Sequence, residues 1–280
     1  MNEKAANEKA MKEKRNAKAI WVLGHHAIDA VLKVKPERAL ELLVVPSSNN
    51  AAQQSIIEQA SAYGIPTHQV DKQALAKRTS SDQHQGVGLL AKPKQDGNEK
   101  DLDKFVAALM HNQQPMQERH PPLLLILDQV QDPHNFGACL RTADAAGVSA
   151  VIVAKDNASP MTPVVQKVAS GAAETVNVFR VTNLARSMQI LQQQGIWMIG
   201  TSDKASHSLY QEDLTGPIAI VMGAEGRGLR QLTEKNCDSL LSLPMAGSFV
   251  SSLNVSVATG VCLFEAVRQR QFKAGKQQNV

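Results

Sequence analysis

The chain has 280 residues, 43% hydrophobic and 20% charged, which excludes both a small stapled scaffold and a disordered chain. At roughly 150 residues per domain, it holds one large domain or two modest ones. Its formal net charge of +4 is unevenly spread, because residues 1–19 carry six basic and three acidic side chains. The rest is nearly neutral, a balance that neither demands nor forbids a nucleic-acid partner.

Residues 1–19 have no apolar stripe and are expected to form a flexible basic tail, with a similar tail at 273–280. From Ala19 onward, WVLGHHAIDAVLKV presents an apolar face and ALELLVVP reads as a short buried strand. SIIEQASAYGIP reads as a helix closed by Gly64 and Pro66, and HQGVGLLAKP as the last strand of a small α/β unit over 20–92. Residues 93–121, punctuated by Pro93, Gly97, Pro115 and Pro121, read as a linker with one weak helical stretch, DLDKFVAALM. Over 122–272 short all-apolar strands (LLLILD, SAVIVA, TVNVFRV, WMIGTS, IAIVMG, LLSLP) alternate with helices, among them GLRQLTEK and a long last one from about Leu253 to Gln271. That alternation predicts an α/β fold whose parallel sheet is buried on both faces.

Some chemistries are disfavoured. Cys139, Cys237 and Cys262 are odd in number and form no CxxC pair, which speaks against a disulfide framework and a zinc knuckle. The eight histidines have no HxxxH or HExxH spacing, so no metal is expected. No apolar run approaches the ~18 residues of a membrane span and the start of the chain lacks a signal-like apolar core, so a cytoplasmic protein without membrane contact is expected.

Ligands of open α/β sheets bind beyond the carboxyl ends of the strands, and three loops there stand out. Leu127–Asp144 (LDQVQDPHNFGACLRTAD) crowds Asp128, Asp132 and Asn135 at a strand exit, and Gly137 permits close backbone approach. Val221–Arg230 (VMGAEGRGLR) is a strand, a glycine-rich turn and a helix start. Glu225 would repel a pyrophosphate, and too little chain follows for a dinucleotide fold. Leu243–Arg270 is a loop of small residues feeding a helix whose opening holds polar Asn254 and Ser256. Each also admits a purely structural reading, with Asn135 and Ser252 as helix caps, Glu225 offsetting a helix dipole and Arg141 a surface cation.

Together these loops resemble the three motifs of the SpoU (TrmH-type) RNA 2′-O-ribose methyltransferases of the SPOUT superfamily. The matching stretches are NFGACLRTA at 135–143, IVMGAEGRGL at 220–229 and LPMAGSFVSSLNVSVA at 243–258. GHHAIDAVL at 24–32 and HQGV at 84–87 look like the small L30e-like substrate RNA-binding domain found in part of that family. The resemblance implies a SPOUT α/β knot, a deep trefoil that periodicity alone would have drawn as an ordinary doubly wound sheet. It implies S-adenosyl-L-methionine as cofactor and a homodimer. The implied substrate is 23S ribosomal RNA, at a guanosine ribose of the peptidyl-transferase loop. A transfer-RNA methyltransferase of the same family and a non-catalytic RNA-binding or assembly protein are the alternatives.

By the resemblance, catalytic positions fall on Asn135, Arg141, Glu225, Ser252 and Asn254, and cofactor contacts on Gly223, Leu243 and Leu253. Between Gly247 and Ser252 stand four residues where the family leads one to expect three. A guanidinium is a poor base, so Arg141 is expected to hold the phosphate beside the target ribose, with Glu225 orienting the loop around it. Ser252 and Asn254 are expected to hydrogen-bond the ribose or the cofactor carboxylate. With 4% aromatic residues a stacking platform is not expected, and Lys77, Arg78, Arg141, Arg227 and Arg230 are the candidate RNA contacts.

Overall fold

The computed structural model describes residues 19–47, 50–111, 121–250 and 252–277, with side chains up to residue 272. The expected amino-terminal tail, apart from Ala19, lies outside the described residues. The chain divides into two compact units: the first ends at Gln95 and also takes Ser170–Thr175, and the second comprises Asp96–Ala169 and the chain from Val176 onward.

The first unit opens with a strand where the sequence suggested one continuous apolar face. β1 (Ile20–Leu23) stops at Gly24, whose φ of 86° turns the chain into helix α1 (His25–Val34). β2 (Ala39–Val44), α2 (Ala51–Ala62), β3 (Thr67–Gln69), α3 (Lys72–Thr79) and β4 (Val87–Ala91) follow. The sheet order is β1-β4-β2-β3, so β4, last in the chain, lies inside the sheet, antiparallel to both neighbours. Ile28, Val31 and Leu32 of α1 pack with Leu42, Ile56 and Leu89 in its core. Arg38 donates to the buried carboxylate of Glu174 at 2.5 Å, tying the inserted segment to this unit.

The second unit begins inside the stretch read as a linker. α4 (Glu99–Met110) carries a full capping box from Asn98 and Asp101, and its Leu102 and Val106 are buried in the unit's core. Thus 96–110 is folded domain; residues 112–120 lie outside the described residues. β5 (Leu123–Leu127), α5 (Pro133–Ala145), β6 (Ala150–Ala154), α6 (Pro163–Ala169) and β7 (Val178–Val181) follow, α7 (Ala172–Thr175) between them belonging to the first unit. α8 (Leu184–Gln193), β8 (Trp197–Thr201), β9 (Ile218–Met222), α9 (Gln231–Lys235), β10 (Ser239–Leu241) and α10 (Val255–Gln277) complete it. Among the described residues the six strands of its sheet pair only in parallel, in the order β10-β8-β9-β5-β6-β7. Every residue of β5 is at most 2% exposed, as expected of a strand covered on both faces.

Two boundaries differ from expectation. The helix read over GLRQLTEK shrinks to α9, because Gly228 closes a hairpin with Ala224 and Arg230 stays extended before the first helical turn. The last helix starts two residues later than expected and runs through Gln277, into the expected carboxyl-terminal tail. Gly137 does permit close approach, between α5 and α6: a Cβ there would lie 2.8 Å from Val168 Cβ and 2.9 Å from the Val165 carbonyl.

Candidate active site

The strand order reverses direction between β5 and β9, which pair in register with Leu127 opposite Met222. Such a switch point opens a crevice at the carboxyl ends of the two strands, and the first two motifs leave from those ends. Asp132, not Asn135, caps α5: its side chain accepts from the Asn135 backbone N–H at 2.8 Å, and Pro133 follows at the first helical position. The Asn135 side chain is therefore free to reach across the crevice.

Beyond β9, Ala224 and Gly228 exchange backbone hydrogen bonds of 3.1 and 2.9 Å, closing a hairpin with Glu225, Gly226 and Arg227 at its tip. Gly226 and Gly228 take φ of 74° and 67°, where glycine is favoured. Gly223 is required by space, since a Cβ there would lie 2.2 Å from the Gly228 carbonyl carbon.

The hairpin delivers Glu225 to the other two motifs. Its Oε1 accepts from Asn135 Nδ2 at 3.2 Å, from Asn254 Nδ2 in a short contact, and from the Val255 backbone N–H at 3.5 Å. Asn254 Nδ2 also donates to Asn135 Oδ1 at 3.0 Å, while Asn254 Oδ1 accepts from Ser256 N and Oγ at 2.9 and 2.6 Å. Asn254 rather than Ser252 is thus the polar group at the start of α10. The carboxylate of Glu225 faces the N-terminal end of that 23-residue helix, where the macrodipole favours negative charge. Three residues separated by 90 and 29 positions form one closed network, and Glu225 Oε2 has no hydrogen-bond partner among the described residues.

Beside this network lies a cleft of about 560 Å³, within the size range of small-molecule sites. Glu225, Ser252, Asn254, Gly223, Leu243 and Leu253 all line it, so six of the eight expected positions share one cavity. Asn135 joins them through its hydrogen bonds. Arg141 does not line the cleft; it is exposed about two turns along α5 and makes no hydrogen bond or ion pair among the described residues. The sequence reading missed Thr201–Lys204, which also line the cleft. Their position at the carboxyl end of β8 and just past it was the available signal.

Asp128 holds the hairpin's exit. It is fully buried, its N–H donates to Met222 O at 2.8 Å, and its carboxylate accepts from Arg230 N at 3.0 Å and from Arg230 Nε and Nη2 at 2.7 Å each. Arg230, expected as an RNA contact, is therefore occupied as the counter-ion of a buried acid. Arg230→Ala leaves that carboxylate with only a backbone partner, and we expect a loss of about 2–4 kcal/mol in denaturant-induced unfolding, reduced from the fully buried limit because Arg230 is half-exposed. Arg78 is likewise engaged, pairing with Glu41 at 3.3 Å and lying 5.7 Å over the Trp21 ring. Lys77 and Arg227 are exposed without such partners among the described residues.

The three thiols are poor nucleophiles. Burial pushes Cys139 up to about 11 and Cys262 up to about 12; Cys237 is also raised to about 12, by burial and by the carboxylates of Asp238, Glu234 and Asp128. Among the described residues no cluster of His, Cys, Asp or Glu could hold a metal ion, and no helix is long and apolar enough to cross a membrane.

Comparison with known proteins matches residues 122–264 to the SpoU rRNA Methylase family and residues 21–97 to the family described as RNA 2′-O ribose methyltransferase substrate binding. The chain is 52% identical over 250 residues to the 23S rRNA (guanosine-2′-O-)-methyltransferase RlmB of Vibrio vulnificus, covering 89% of this chain and 97% of that protein. It is 50% identical, with the same coverage, to the protein of that name from Haemophilus influenzae. Among solved structures, the SpoU methyltransferase AviRb of Streptomyces viridochromogenes, in complex with the cofactor AdoMet, shares the fold with a TM-score of 0.72 and 24% identity, covering 91% of this chain and 92% of that one.

Proposed function

Because the chain belongs to the SpoU rRNA methylase family, we propose that it methylates the ribose 2′-hydroxyl of a guanosine in 23S ribosomal RNA, using S-adenosylmethionine, at the cleft beside Glu225. The carrying observation is the closed network of Asn135, Glu225 and Asn254 at the switch point, in a chain about half identical to enzymes of that activity over nearly its whole length. The relatives' printed activity favours ribosomal over transfer RNA. The peptidyl-transferase loop is the expected region.

The residues present fit the cofactor. Gly223, made necessary by the hairpin's own Gly228 backbone, lines the cleft with main chain, and Leu243 and Leu253 supply apolar walls in a cleft of suitable volume. Bound there, S-adenosylmethionine supplies a methyl group already activated on a sulfonium. What remains for the protein is to hold the ribose hydroxyl in line and ease the loss of its proton. Glu225, fixed through Oε1, keeps Oε2 available to accept from the ribose hydroxyl. Asn135 and Asn254 act as positioning residues, their amides spent on Glu225, on each other and on the helix start. Ser252, with no hydrogen bond among the described residues, is available to the ribose or the cofactor carboxylate. Arg141, exposed and unpaired among the described residues, holds the phosphate beside the target nucleotide.

The knot expected of the family belongs to this reading, as does a homodimer. Val257, Val261 and Phe264 recur at helical spacing on α10, with Val257 52% and Phe264 49% exposed, an apolar stripe suited to a second copy. The three unpaired thiols support a cytoplasmic protein. Purified protein with labelled S-adenosylmethionine should label 23S RNA and leave transfer RNA unlabelled; label in transfer RNA alone would overturn the substrate assignment.

A further inference from the structure

We infer that His25, Asn50 and Gln85 form a nucleotide-contacting site on the first unit, which grips the substrate RNA by its neutral groups: base edges and ribose hydroxyls. The identity of the ligand rests on the function proposed above; the place rests on the geometry that follows.

Three distant segments converge here. His25 opens α1, Asn50 caps α2, and Gln85 sits in the turn before β4. Gln85 Oε1 accepts from the His25 backbone N–H at 3.2 Å and lies 3.2 Å from His25 Nδ1, while His25 Nε2 lies 3.3 Å from Asn50 Nδ2. Because an amide nitrogen only donates, His25 Nε2 must accept, which places the neutral ring's proton on Nδ1, toward the Gln85 carbonyl. The chain of bonds is self-consistent and leaves both N–H groups of Gln85 unused among the described residues. Gln85 is exposed, and His25 and Asn50 are half-buried.

The backbone beneath this arrangement is strained. Gln85 has φ of +53°, a region that side chains disfavour and glycine adopts freely, and it adjoins Gly86 at +79°. A turn needing only its shape would be served by a second glycine, so a side chain kept at such a position points to function. Gly24 admits that side chain, since a Cβ there would press to 3.2 Å from Gln85 Oε1. The turn is also braced. Buried Gln53 donates from Nε2 to Val45 O at 2.7 Å and to Gly86 O at 3.3 Å, and Val45 N donates to Gly86 O at 2.8 Å. His84 is 2% exposed; its Nδ1 accepts from Gly86 N at 3.0 Å, so its proton is on Nε2, a buried donor without a partner. A strained, braced turn that presents the unused N–H groups of exposed Gln85 is what a preorganised contact requires.

The ligand chemistry follows from what the cluster holds. It contains amides and an imidazole but no lysine or arginine, so it suits hydrogen bonding to bases and hydroxyls rather than charge pairing with phosphates. Such contacts specify sequence and shape, whereas phosphate contacts mainly position.

Gln85→Gly tests this with little risk to the fold, because glycine accepts the turn and the His25 N–H it releases can pass to water. We expect an unfolding midpoint equal to or above wild type and unchanged affinity for S-adenosylmethionine. The KM for a 23S RNA fragment should rise at least tenfold at near-native kcat, with the salt dependence of RNA binding unchanged. His25→Ala should reproduce the RNA defect. An RNA KM within twofold of wild type for Gln85→Gly would overturn the inference, and so would a KM rise accompanied by a lowered midpoint, which would mark the residue as structural. If the wild-type protein fails to methylate 23S RNA, the functional reading fails instead, and RNA retention by wild type and Gln85→Gly on filters still decides the site.

Discussion

Glu225→Ala is expected to lower kcat by about a thousandfold while changing the affinity for S-adenosylmethionine by less than about threefold. The reason is geometric. One carboxylate oxygen accepts from Asn135, from Asn254 and from the first backbone N–H of α10, so three loops that meet nowhere else in sequence are registered through it. Removing it frees two amides beside the cleft, and displacing a reacting group by about 1 Å can cost 10²-fold. Glu225→Gln keeps a carbonyl acceptor but loses the charge matched to the helix N-terminus, so an intermediate loss of about 10- to 100-fold is expected. Single-turnover kinetics with saturating RNA and cofactor measure both, and an alanine variant within threefold of wild type would remove Glu225 from the mechanism.

Arg141→Lys is expected to lose about 10²-fold in kcat/KM for RNA, and Arg141→Ala more. Lysine keeps the charge but not the planar fork that grips a phosphate through two parallel bonds, so the two variants separate geometry from charge. Because Arg141 makes no bond or ion pair among the described residues and is exposed, neither substitution should lower the unfolding midpoint appreciably. Near-native turnover in Arg141→Lys would show that the guanidinium shape is not used.

The second unit was more legible in sequence than the first. Its strands are covered on both faces, so LLLIL, AVIVA and IAIVM appear as uninterrupted apolar runs that no surface strand would tolerate. β1, four residues long with only Val22 buried, gives no such signal and merges by eye with the helix after it. Pro93, Gly97 and Pro115 around α4 give its stretch the composition of a linker, although Leu102 and Val106 have helical spacing. Nothing local marks Ser170–Thr175 as part of the first unit; that depends on Glu174 meeting Arg38, 136 residues away.

The site was legible residue by residue but not as an arrangement. A carboxylate in a glycine-rich turn reads equally well as a dipole partner, and it is one, though for α10 rather than for the helix that follows it. The structural readings of Asn135 and Ser252 gave way because Asp132 and Asn254 take the capping positions. Arg230 looked like a free cation because its partner Asp128 lies 102 positions earlier.

The most direct test of the account is to map ribose 2′-O-methylation across 23S RNA isolated from cells with the wild-type protein, without it, and with Glu225→Ala in its place. The account predicts one guanosine methylated in the first and unmethylated in the other two. An unchanged methylation pattern in cells lacking the protein would contradict it.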